Sequence, residues 1–187
     1  MNFDIQSDKI ISESFLNTGK TTFLEAAHFV QNMDYKRNLD KNNMLAVLND
    51  NFGTCSTKHA LLKRLADENQ KFDFQLILGI FKMNADNAPQ IKEVLEQHQL
   101  DYIPEAHNYL KWNHQILDFT SRTWRKENFE SQLLKEIEIQ PEQITDFKVK
   151  YHQNFLEDWL DQHPEIPYSI DEIWKIREDC ILALSRG

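Results

Sequence analysis

Apolar positions recur at helical spacing in the first third of the chain, in short continuous runs through the middle, and at helical spacing again toward the end. Phe23, Ala26, Ala27, Val30 and Met33 mark the first long helix, opened by a capping box, Thr22-Phe23-Leu24-Glu25. A polar, asparagine-rich loop from Tyr35 to Asn43 leads to a short helix around Met44, Leu45, Val47 and Leu48. A further helix starts at Cys55, and Ala60, Leu61, Leu62 and Leu65 form its buried stripe. Phe72 to Met83 is rich in Phe, Leu and Ile and reads as a buried strand. Asn87 to Gln97 predicts a short helix through Ile91, Val94 and Leu95, and Ala106–Lys111 with Gln115–Phe119 predicts a hairpin.

Beyond about Ser121 the charged, amphipathic pattern predicts helix throughout. One helix starts at Pro141 with Ile144, Phe147, Tyr151, Phe155 and Trp159 on one face, and Pro164 and Pro167 stop it. A second capping box, Ser169-Ile170-Asp171-Glu172, opens another helix that places Cys180 on an apolar stripe with Ile173, Trp174 and Leu184. Trp159, Tyr168 and Trp174 at these spacings read as core rather than as a ligand platform. The pattern predicts an α+β fold: a core over residues 1–122 with a helical extension over 123–187 packed on it.

With 187 residues, 41% of them hydrophobic, the chain can bury a sizeable core. Its net charge of −9 argues against nucleic acid, anionic membrane and acidic partners generally. No apolar stretch is long enough to span a bilayer and the first residues lack a signal-peptide pattern, so a soluble, cytoplasmic protein is expected. Two cysteines do not make a disulfide framework, and a reducing compartment suits thiol chemistry.

Candidate chemistry concentrates in Asn51-Phe52-Gly53-Thr54-Cys55-Ser56-Thr57-Lys58-His59-Ala60. A thiol at a helix N-terminus meets the positive end of the helix dipole and N–H groups without intrahelical acceptors, which favour the thiolate. A nucleophilic cysteine also needs a base, and the base an orienting group. With the hairpin turn centred between Trp112 and Asn113, His107 lies directly across from Asp118. Opposite residues have Cβ atoms about 5 Å apart, within reach of an imidazole-to-carboxylate hydrogen bond.

The run Phe29-Val30-Gln31-Asn32-Met33-Asp34-Tyr35, then Leu48 to Gly53-Thr54-Cys55 with Ala60-Leu61-Leu62, then His107 and Asp118-Phe119-Thr120, resembles the transglutaminase-like superfamily over roughly residues 21–122. The resemblance implies a papain-like fold with Cys55 as nucleophile, His107 as general base then acid, and Asp118 as the orienting carboxylate. It departs after the histidine, where Asn108-Tyr109-Leu110-Lys111 replaces the aromatic residue and glutamate common in that family. Thiol-dependent acyl transfer on a peptide, protein or other amide substrate is the expected activity, by hydrolysis or by transfer to an amine. An inactive papain-like module that binds peptide or protein is the alternative. The Cys55 backbone N–H and, by analogy with papain-like enzymes, Asn49 are the oxyanion candidates.

No cofactor or metal is expected. Cys55 and His59 stand at i and i+4 but make only two of the ligands a metal site needs. Thr18-Gly19-Lys20-Thr21-Thr22 has the tail of a phosphate-binding loop, with Ser14 where its first glycine belongs.

Overall fold

The computed structural model describes residues 1–184 as a mixed α+β protein. The first half follows the order α1 (Ile10–Asn17), α2 (Phe23–Gln31), β1 (Asp34–Tyr35), α3 (Ala46–Asp50), β2 (Phe52–Gly53) and α4 (Cys55–Glu68). There follow β3 (Phe74–Met83), α5 (Lys92–Gln97), β4 (Ile103–Trp112), β5 (Gln115–Leu117), β6 (Leu133–Ile139), α6 (Asp146–Gln162) and α7 (Ile170–Leu184). The main sheet is antiparallel and runs β5-β4-β3-β6, while β1 and β2 form a separate parallel pair. The chain divides into two compact units. One comprises Met1–Gly79, His107–Lys126 and Glu136–Thr145; the other comprises Ile80–Ala106, Glu127–Lys135 and Asp146–Gly187.

In the first unit, α2 begins where the sequence requires it, with Thr22 and Glu25 forming the reciprocal cap. Its buried stripe of Phe23, Ala26, Ala27 and Val30 joins Leu61, Leu62 and Leu65 of α4 in the core. Phe3, Phe23 and Phe74 add an aromatic cluster, with the Phe23 and Phe74 centroids 4.8 Å apart. Helix α1, which the apolar pattern did not reveal, has no side-chain cap of its own at Lys9. Its N-terminus is instead satisfied from 56 residues away, where Glu68 accepts from Ser12 N–H (2.7 Å) and Ser12 Oγ, and from Ile11 N–H.

Two expectations about the C-terminal third, most of which belongs to the second unit, are corrected. The first concerns Leu133–Ile139, which is a strand, β6, not helix. Its charged residues misled the helical reading because Lys135, Glu136 and Glu138 project outward from an edge strand. Glu136, in the first unit, accepts from Tyr109 Oη and Lys111 Nζ, and Glu138 accepts from Gln75. The second concerns α6. Pro141 opens only a 3₁₀ turn, the backbone breaks at Thr145, and the helix starts at Asp146. Its buried stripe is therefore His152, Leu156 and Trp159, and Phe147 is exposed. Within this unit Trp159 bonds Tyr102, Tyr168 bonds His98, and Trp174 packs on His152 and Arg177. No helix among the described residues is long and apolar enough to cross a membrane.

Candidate active site

Cys55 is the first residue of α4, and local chemistry puts it there. Thr54 Oγ1 and Thr57 Oγ1 form a reciprocal cap around the N-terminus. Gly53 precedes them because no side chain fits: a Cβ would lie 2.9 Å from both Thr57 Oγ1 and Val47 Cγ2. Asn51, in the left-handed region at φ 58°, turns the chain out of α3 into β2. Buried Asn38 braces this approach, donating to Asp50 and Phe52 O while accepting from Thr57 Oγ1 at 2.7 Å.

The hairpin delivers the other two residues in a different register from the expected one. Its turn is Asn113-His114, both at positive φ (47° and 64°), a two-residue type I′ connection. Leu110 therefore pairs with Leu117, Lys111 with Ile116 and Trp112 with Gln115. This pairing displaces Asp118 by two positions from the site opposite His107. A two-residue displacement preserves the face on which a side chain stands, so Asp118, just past β5, reaches His107 diagonally. His107 Nε2 and Asp118 Oδ2 are 2.8 Å apart.

With Nε2 engaged by Asp118, Nδ1 is the ring nitrogen left for the thiol, and His107 makes a side-chain hydrogen bond with Cys55. Burial pushes the His107 pKa down, but the charges of Asp118 and Cys55 and the hydrogen bonds to both carry it up to about 9. Burial would raise Asp118, and the His107 charge and hydrogen bond instead hold it far below the usual carboxylate range. The environment thus favours the imidazolium form of His107 beside the Asp118 carboxylate at neutral pH. Cys55 is 5% exposed. By side chain His107 is 7% and Asp118 1% exposed, so the carboxylate lies deeper than the imidazole. Tyr35 Oη and Ser56 Oγ each lie 3.9 Å from Cys55 Sγ, and the Trp124 ring stands 5.8 Å from that of His107.

Four positions in the first two turns of α4 tie this helix to the segments that carry His107 and Asp118. Cys55 meets His107, and Ser56 Oγ donates to Asn108 Oδ1 at 2.9 Å. Lys58 Nζ, fully buried, donates to Thr120 O at 2.8 Å and to Met33 O at 2.7 Å. Burial lowers its pKa to about 8 against the nearby charges of Asp34, Cys55 and Asp118. His59 Nδ1 lies 2.8 Å from Cys55 O, and Phe119 N–H donates to His59 Nε2 at 2.8 Å. That second bond requires a lone pair on Nε2, so the proton is on Nδ1 and the ring is neutral. The 3.5 Å approach of His59 Nε2 to Asp118 Oδ1 is accordingly no ion pair, and burial lowers the His59 pKa in the same sense.

Sequence reasoning missed Ser56, Lys58, His59 as a bridge, and Asn108. The available signal was a run of polar residues, 56–59, on a helix whose next three residues, Ala60-Leu61-Leu62, are apolar. The structure brings Cys55, His107 and Asp118 together. It leaves Asn49 exposed near the end of α3, and the described contacts do not join its side chain to the cluster. Among the described residues no group of three or more His, Cys, Asp or Glu is arranged to hold a metal ion. Compared with protein-family models, with curated proteins and with solved structures, the chain matches none.

Proposed function

We propose that this protein is a thiol-dependent acyl-transfer enzyme, an amide or peptide hydrolase or a transglutaminase-type acyltransferase, built on a papain-like core. The observation that carries this reading is His107 held between Asp118 and Cys55, with its basicity raised by both. The order of elements supports the core assignment: a nucleophile at the start of a helix, followed by a hairpin that carries the histidine and then the carboxylate.

In this reading the Cys55 thiolate attacks an amide carbonyl, forming an S–C bond. As the tetrahedral intermediate collapses, the C–N bond breaks and the His107 imidazolium gives its proton to the leaving amine. Neutral His107 then takes a proton from water or an acceptor amine attacking the thioester, and the thiolate leaves. Asp118 keeps its charge throughout and fixes the ring through Nε2. The backbone N–H of Cys55, at the positive end of the α4 dipole, is the oxyanion donor in this reading. Both Nδ2 protons of Asn38 are committed to Asp50 and Phe52 O, so that buried amide does not serve.

A binding module without turnover is the second reading, and the 5% exposure of Cys55 favours it. Iodoacetamide at neutral pH separates the two. An activated Cys55 is alkylated far faster than Cys180, and amide or thioester turnover disappears in Cys55→Ala. Equal, slow labelling of both cysteines, with peptide binding unchanged in Cys55→Ala, establishes the module.

A further inference from the structure

The net charge of −9 conceals an uneven distribution: eight of the nine excess negative charges belong to the second unit, and the unit that holds Cys55, His107 and Asp118 is close to neutral. Within that unit two segments border the triad, one entering it through Tyr35 beside the thiol and the other through Trp124 beside the His107 ring. The first carries Lys36, Arg37 and Lys41 against Asp34 and Asp40, and Asp34 lies in the field of the buried Lys58 ammonium. The other, residues 119–126, carries Arg122, Arg125 and Lys126 and no acid. Lys36, Arg37, Arg122 and Arg125 are exposed. Two of them are anchored at the site's margin: Lys36 N–H bonds Gly53 O with its ammonium over the Phe52 ring, and Arg122 Nε bonds Asn32.

We infer that the site accepts an acyl donor with a negatively charged substituent beside the reacting carbonyl, the kind of group an acidic peptide carries. This rests on the acyl-transfer reading and narrows its substrate class, against the expectation from net charge alone. Each rim cation about 10 Å from a bound anion is worth roughly twofold in water, and salt screens it. Neutral substrates gain nothing from the rim.

Cys55 can report this without a known substrate. Iodoacetate and iodoacetamide alkylate a thiolate by the same step, in which the S–C bond forms as iodide leaves, and they differ by one negative charge. The imidazolium of His107 itself favours iodoacetate, so the decisive quantity is how the rate ratio of the two reagents responds to the rim. The ratio should fall about fourfold in Lys36→Gln/Arg122→Gln, and by about fifteenfold in the charge reversal Lys36→Glu/Arg122→Glu. It should also drop toward the double-glutamine value in native protein at about 0.5 M salt. A ratio that both variants leave unchanged assigns the whole preference to His107 and overturns the inference while the acyl-transfer reading stands. If iodoacetamide alkylates Cys55 no faster than Cys180, the reading itself fails and the substrate class fails with it.

Discussion

Cys55 and Cys180 are both buried thiols on helices, one in each compact unit, and their surroundings differ. Cys55 begins α4, where the helix dipole favours an anion, and shares a hydrogen bond with a histidine that a carboxylate keeps basic. Cys180 sits in the interior of α7, and burial, followed by the charges of Glu105 and Asp179, pushes its thiol up to about 12. The histidines divide in the same way. His107 is raised to about 9 by anions on both sides, whereas burial lowers His152, which donates from Nε2 to Pro104 O. Burial alone therefore silences a thiol or an imidazole. A neighbour of the right charge, at hydrogen-bond distance, reverses that outcome.

The comparison breaks most visibly at the nucleophile. Cys55→Ala, and separately His107→Ala, should lower turnover by about 10³-fold or more, with Cys180→Ala leaving it unchanged. Rates on a panel of amide and thioester substrates measure this; a Cys180 variant as damaged as the Cys55 variant would abolish the distinction.

The second unit has its own charged pair, and its role is structural. Arg177 and Glu105 are joined by two bonds of 2.6 Å. Burial would raise Glu105, but Arg177 holds its pKa at about 2. Arg177→Met should cost about 3–5 kcal/mol by stranding a buried carboxylate, and Arg177→Met/Glu105→Leu should recover most of it. Because the folded pKa is depressed, the pair's contribution is fully present above the unfolded carboxylate range and is lost as pH falls toward 2. Denaturant unfolding of the native and single-variant proteins at pH 7 and pH 3 should therefore converge at the lower pH.

His107 has the opposite pH sign. Its folded pKa is raised, so its contribution is complete below the ordinary imidazole pKa of 6.5 and is lost as pH climbs through about 9. The stability difference between native protein and His107→Gln should shrink between pH 6 and pH 10 in parallel unfolding curves, and a constant difference would contradict the raised pKa.

The smallest effects are expected at the residues that position the site. Asn108→Ala removes the acceptor of the Ser56 hydroxyl and the donor to Ile77 O, and should cost about 1–3 kcal/mol. A kcat loss larger than any KM change would identify it as a positioning residue for His107, which is its chain neighbour. Gly53→Ala should cost about 1–3 kcal/mol by overpacking against Thr57 and Val47, read as a lowered thermal midpoint.

Much of this site was legible before any coordinates. Short-range rules act on neighbouring residues, and they located the α2 cap at Thr22, the start of α4 at Cys55, the hairpin and the Ser169–Glu172 cap. What they missed depended on distant partners. Helix α1 is capped by Glu68, and β6 is an edge strand whose charges find Tyr109, Lys111 and Gln75; the later start of α6 came instead from a local backbone break at Thr145.

The sequence by itself determined that a thiol opens a helix and that a histidine and an aspartate follow on a hairpin, because capping, spacing and turn chemistry are local. Only the tertiary structure decided the hairpin register, the His107–Asp118 contact within it, and the use of Ser56, Lys58 and His59 to anchor the segments carrying His107 and Asp118 to α4. It also decided that Asn49 stays outside. The anchoring contacts of Ser56, Lys58 and His59 join residues 52 to 62 positions apart, and such relations are set by how the core packs, which no local pattern encodes.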